Sequence, residues 1–267
     1  MANENLRDEG SRKHLLDLCE SREYPTSLDR MLEGTGLRLA KDHRSQPHGR
    51  ATKEAWGELE VEEYLAIPDR QIGRLPSLDM NWWLRHRTST NRSPSWDLIA
   101  RLSNEKAKEV GLLIVEAKAH ETEIKITDRK TPPTPTVKSQ ENHTHIARTI
   151  ARASKRLSRL GCGPFSLSHE SHYQLANRLT CAALLADMGY HIVLMYLGFT
   201  GDTWFTDDHF RSPDHWQRVF GGYIQNVVPQ GFPERRFAMD NDGSLTMVVR
   251  SQAVRRPSGV EGRRSRR

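Results

Sequence analysis

The chain reads as an α/β fold, a mixed central sheet flanked by helices, on three observations. Residues 112–115, Leu-Leu-Ile-Val, are a continuous apolar run of the kind buried on both faces of a sheet. A second charge-free run, Ile-Val-Leu-Met-Tyr-Leu at 192–197, directly follows a helical segment at 171–189 that Gly189 ends. Between residues 94 and 118, two β-prone runs flank a polar turn at 103–109, the pattern of a hairpin. With 267 residues the chain can bury one such core and still carry decorations.

Taken in order, residues 1–50 are expected to form a polar N-terminal extension with two short helices. In 11–19, Leu15, Leu18 and Cys19 fall on one side; in 28–33, Ser27 can cap the start and Gly34 the end. Residues 52–66 have helical character, with Ala55, Trp56, Leu59 and Leu65 toward a core and Glu58, Glu60, Glu62 and Glu63 around the rest. Trp82, Trp83 and Leu84 suit a first strand, and the hairpin follows. Prolines 132, 133 and 135 make the next stretch a loop. Residues 145–160 are helical by period, with Ile146, Ile150, Ala153, Leu157 and Leu160 inward. The segment 171–189 is broadly apolar but carries Gln174, Asn177 and Arg178 as one polar patch. A helix at 213–228 holds Trp216, Val219, Phe220 and Ile224, and Asp240-Asn-Asp-Gly243 is the turn of a hairpin over 237–250. The main domain is therefore 51–254, and 255–267 is expected to be a disordered arginine-rich tail.

Composition narrows the function classes. The longest apolar region, 180–199, is broken by Asp187, Gly189 and His191, so it reads as helix plus strand and not as a membrane span. No apolar run follows the polar N-terminus, which points to the cytoplasm. Three cysteines, Cys19, Cys162 and Cys181, are too few and too scattered for a disulfide framework. Cys162, His169, His172 and Cys181 match no zinc-finger spacing. The formal charge of +6 is local, because the tail alone holds six arginines and one glutamate. A second basic feature is the stripe Arg148, Arg152, Lys155 and Arg159, spaced four, three and four along one helix side, which suits phosphates.

The chemistry concentrates at the end of the apolar run. Strand side chains alternate, so Glu116 and Lys118 share a face while Ala117 turns away, and Asp97 on the preceding strand can lie beside them. Charge at the end of a buried strand needs partners or a bound ion. Carboxylate oxygens completed by water are what Mg²⁺ takes.

Asp97 followed by Glu116-Ala-Lys118 resembles the PD-(D/E)xK nuclease superfamily, whose restriction-endonuclease-like fold has an αβββαβ core. The resemblance implies that Asp97 and Glu116 hold Mg²⁺, with Mn²⁺ able to substitute, and that Lys118 orients or deprotonates the attacking water. The proline expected directly before the aspartate is absent, since Ser95 and Trp96 separate Pro94 from Asp97. Tyr173-Gln-Leu-Ala-Asn-Arg-Leu and Tyr196-Leu-Gly-Phe-Thr-Gly-Asp202 resemble a bacterial branch of the superfamily, and the likeness covers about residues 80–228. In other branches of the superfamily a glutamine on this helix faces the active site, which implies the same for Gln174, and superfamily folds open with a helix that can add an acid, here Glu60 or Glu63. Arg178 is expected to join the basic stripe in contacting nucleic acid. The expectation is a Mg²⁺-dependent nuclease hydrolysing phosphodiester bonds, of DNA in preference to RNA. The alternative is the same fold as a non-catalytic nucleic-acid-binding or assembly module. Oligomeric state is left open.

Overall fold

The structure is a computed structural model that describes residues 10–67, 94–129, 134, 136–204 and 208–254. A six-stranded mixed sheet runs through it in the order β1-β2-β3-β4-β6-β5, with helices on both faces. The expected hairpin is β2 (Leu98–Asn104) and β3 (Glu109–Lys118), in antiparallel register from Leu98 opposite Val115 to Asn104 opposite Glu109. Lys108, with φ 54, makes the left-handed turn between them. β4 (His191–Thr200) lies parallel to β3, and β6 (Ser244–Ala253) parallel to β4. Parallel neighbours need long crossovers. These are supplied by α5 (Val137–Ser158) with α6 (Tyr173–Asp187), and then by α7 (Pro213–Ile224). β5 (Arg236–Ala238) closes the edge as the expected hairpin with β6.

The pleat divides the core into two clusters. Ile99, Leu112, Ile114, Ile192, Leu194, Tyr196, Leu245 and Met247 face α5, α6 and α7. Leu98, Ala100, Leu113, Val115, Ala117, Val193, Met195 and Leu197 face the other way, onto α1 (Gly10–Cys19) and α2 (Tyr24–Met31). This corrects the reading of 1–50 as an extension: residues from Gly10 onward are a layer of the domain. Leu15, Leu16, Leu28 and Leu32 are fully buried, and His14 Nε2 meets Asp202 Oδ2 at 2.6 Å, tying α1 to the chain just past β4. The same segment forms the sheet edge. β1 (Arg38–Leu39) pairs with β2, the Ile99 N–H donates to the Gln46 carbonyl at 2.8 Å, and the Arg101 N–H to that of His43 at 2.8 Å.

Other differences have local causes. α2 begins before Ser27, because Pro25 in its first turn is pre-set for helix. The single helix expected over 52–66 is two, α3 (Lys53–Trp56) and α4 (Val61–Ala66). Gly57 follows the first, and Glu60 with Glu63 forms a capping box that starts the second. α5 starts earlier than expected, at a Thr136 cap whose side chain accepts the Ser139 N–H. Gly198 on β4 is required by packing, since a Cβ there would overlap the Trp216 indole of α7. No helix among the described residues is long and apolar enough to cross a membrane. The first strand expected at 82–84 and the arginine tail lie outside the described residues.

Candidate active site

The site forms where β2 begins and β3 ends. Continuing the register one step beyond Leu98 and Val115 sets Asp97 opposite Glu116, both on the α6 face of the sheet. The Asp97 backbone N–H donates to the Val115 carbonyl at 3.1 Å, and its Oδ2 accepts the Ala117 N–H at 2.6 Å. The aspartate is thus locked to the β3 ladder by main chain and side chain together. Glu116 is buried, 3% exposed, and each of its oxygens meets a cation. Lys118 Nζ donates to Oε1 at 2.6 Å, and Arg178 Nε donates to Oε2 at 2.7 Å from α6. The Arg178 guanidinium lies 4.8 Å over the ring of Trp96, which is wholly buried next to Asp97. Tyr196, opposite Glu116 in the β3–β4 register, completes the floor, and its buried hydroxyl has no partner among the described residues.

Charge is distributed unevenly in this cluster. Burial pushes the Glu116 carboxyl up, but Arg178 and Lys118 outweigh it and hold Glu116 below the usual carboxylate range. Asp97 goes the other way. Burial, then the charge of Glu116, pushes it up to about 8, against the pull of Lys118 and the Ala117 N–H. Burial favours a neutral Lys118, yet Glu116 and Asp97 raise its pKa, so it is an ammonium at neutral pH. A lysine in that state donates and stabilises negative charge; it does not abstract a proton. Of the two roles the resemblance left to Lys118, orienting the water fits this state and deprotonating it does not.

The donor set fits a hard divalent cation. Two carboxylates stand side by side, the described hydrogen bonds to Asp97 use only its Oδ2, and its charged form is drawn on by Lys118, the ammonium already donating to Glu116. Asp97 and Glu116 would hold the ion, with Glu116 sharing its oxygens between the ion and its two resident cations.

The expected residues divide. Asp97, Glu116 and Lys118 come together, and Arg178, expected among the nucleic-acid contacts, is the fourth member. Gln174 lies one turn before Arg178 on α6; its backbone N–H donates to Asp128 Oδ2 at 2.8 Å, and no described contact carries its carboxamide to Glu116. Glu60 and Glu63 are occupied at the α4 cap, with the Glu60 N–H donating to Glu63 Oε2 at 3.2 Å; the acid whose charge Asp97 feels from that region is Glu58. Arg148, Arg152 and Lys155 on α5 and Arg159 at its C-terminal cap are all exposed, and among the described residues no ion pair joins any of them to a carboxylate. Trp96 and Tyr196 were not anticipated. Trp96 could have been found by its adjacency to Asp97, but Tyr196 becomes a neighbour of Glu116 only through the parallel register of β3 and β4. Comparison with protein-family models, curated proteins and solved structures finds no match.

Proposed function

We propose that the chain is a Mg²⁺-dependent nuclease with a restriction-endonuclease-like core, hydrolysing phosphodiester bonds of nucleic acid, DNA in preference to RNA. The observation that carries this reading is the convergence of Asp97, Glu116 and Lys118 at the mouth of one hairpin, braced by Arg178. A bound Mg²⁺ would supply Lewis-acid polarisation of the phosphate and acidification of water. The chain's own residues do the rest. Asp97 would hold the ion as a carboxylate, its proton released to solvent as the ion binds, and Glu116 stays ionised because Arg178 and Lys118 hold it so. Lys118, as an ammonium, orients the attacking water and offsets charge developing on the phosphate. Arg178 spends its Nε on Glu116, and the Nη groups of the same guanidinium would be the donors offered to a phosphate oxygen. The exposed α5 stripe would carry the flanking backbone.

One feature favours the second reading, a binding or assembly module with an idle site. Glu116 is satisfied by Lys118 and Arg178 with no ion at all. Calorimetry with Mg²⁺ and Mn²⁺, run beside cleavage of plasmid DNA, single-stranded DNA and RNA, separates the two. The nuclease reading requires metal binding that Asp97→Ala or Glu116→Ala abolishes, and cleavage lost in the same variants. Absence of metal binding in the wild type would leave only the idle module.

A further inference from the structure

Apart from the Glu116 cluster, one group of ligand-type side chains comes together among the described residues. His143 on α5 and His169 and Glu170 in the loop leading into α6 each offer a ligand atom within 4.8 Å of the others. His169 Nε2 lies 2.7 Å from Glu170 Oε1, and the rings of His143 and His169 meet edge to face with centroids 5.1 Å apart. The neighbours His169 has in sequence go elsewhere: Cys181 is buried in the core and the ring of His172 rests against Tyr223. The fold gives His169 a histidine from a different element instead.

Both ligand-bearing segments are anchored without any ion. Just beyond His143, α5 buries Ile146 and Ile150 in the main core. The loop is fixed by Ser154, whose Oγ donates to the Phe165 carbonyl at 2.8 Å and accepts the Leu167 N–H at 3.2 Å, and by the burial of Leu167 itself. Only side-chain rotamers remain to be ordered when an ion arrives, which keeps the cost of binding small.

We propose that His143, His169 and Glu170 bind a divalent transition metal, Zn²⁺ foremost. Two imidazoles and a carboxylate are the donor set of three-ligand zinc sites, with a fourth position left to water. Imidazole selects Zn²⁺, Ni²⁺ or Cu²⁺ over Mg²⁺, which demands oxygen. Ligand atoms about 2.0–2.1 Å from a tetrahedral ion stand roughly 3.3 Å apart. The observed span closes to that by rotation of the two half-buried rings and of Glu170, whose side chain is 64% exposed. The ion would cross-link α5 to the entrance of α6, the helix that carries Arg178. This site does not depend on the nuclease reading, and its ligand chemistry sorts it from the all-carboxylate pair Asp97 and Glu116.

The test uses the full-length chain without a histidine tag, stripped of metal, and titrated with Zn²⁺ against a chromophoric chelator. Co²⁺ substitution provides a visible absorption band as a second readout. One Zn²⁺ per chain is expected, undisturbed by a large excess of Mg²⁺. His143→Ala and His169→Ala should each weaken it by about tenfold or more and remove the Co²⁺ band, with circular dichroism unchanged. Glu170→Gln, at an exposed position that cannot compromise folding, should weaken it by about threefold or more. His145→Ala, on the same helix but outside the group, should bind as the wild type does. Wild-type affinity in all three ligand variants overturns the proposal, as does a wild type that takes no Zn²⁺ from the chelator. Loss of Zn²⁺ in Asp97→Ala without loss in His143→Ala would assign the ion to the Glu116 cluster and overturn it equally.

Discussion

Asp97→Asn should make the metal-free protein more stable, by a margin that widens as pH rises. Asp97 has an ordinary carboxyl value of 3.8 and is pushed up to about 8 in the fold, first by burial and then by the charge of Glu116. Between those two values the folded chain holds a proton that the unfolded chain has released. Stability is therefore lost as pH climbs from 3.8, and the loss levels off above about 8. Each pH unit in that window is worth about 1.36 kcal/mol, so the ceiling at pH 7 is about 4 kcal/mol. Asp97 titrates together with Glu116 and keeps some contact with water, which reduces the effect to about 1–3 kcal/mol. Asparagine keeps the acceptor for the Ala117 N–H and removes the charge. For a chain of this size about 1 kcal/mol moves the melting temperature by 2–4 °C, so the variant should melt roughly 3–10 °C higher at pH 8 and much closer to wild type at pH 5. Scanning calorimetry from pH 5 to 9, with and without Mg²⁺, measures this. Mg²⁺ should raise the wild type toward the variant and leave the variant unmoved. A variant that melts lower at pH 8, or a gap that does not widen with pH, refutes the electrostatic reasoning. Equal stabilisation of both proteins by Mg²⁺ refutes Asp97 as a ligand.

On the proposed nuclease reading, Lys118→Met should retain Mg²⁺ binding in calorimetry while lowering turnover by about 100-fold or more, because that reading assigns its ammonium to the water and not to the ion; equal loss of both counts against that role. Arg178→Met should destabilise the metal-free chain by about 3 kcal/mol, since it strips one partner from a buried carboxylate, yet tighten Mg²⁺ by freeing Glu116 Oε2; weaker Mg²⁺ binding in that variant would show that Arg178 shapes the site instead of competing for it. Gly198→Ala drives a methyl into Trp216 and should cost about 1–3 kcal/mol in chemical denaturation, so an unchanged midpoint would contradict the packing of α7 on β4. Reversing Arg148 and Arg152 should reduce the slope of log affinity against log salt on duplex DNA by roughly two, at about 0.9 per phosphate, and slow cleavage with it; a slope that stays put means the α5 stripe faces only solvent.

What could be read from the chain alone was whatever repeats at short range. The apolar run at 112–115, the alternation of Glu116, Ala117 and Lys118, the helical periods of α5, α6 and α7 and the Asp240 turn are local patterns, and each became the expected element. The pairing of Asp97 with Glu116 was legible for the same reason, because a hairpin turn sets its own register. Element ends were harder: Gly57 and the Glu60 cap divide a helix that periodicity joins. Tertiary structure decided everything that depends on distant segments. Residues from Gly10 to Gln46 look polar because they are amphipathic, and only the open face and edge of the sheet reveal that they belong there. Arg178 has the composition of a surface contact, but the parallel crossover sets α6 against β3 and turns that side chain onto Glu116. Tyr196 and the meeting of His143 with His169 arise the same way. A parallel register and a helix packing angle are fixed by the whole core at once, and no window of sequence contains the residues that fix them.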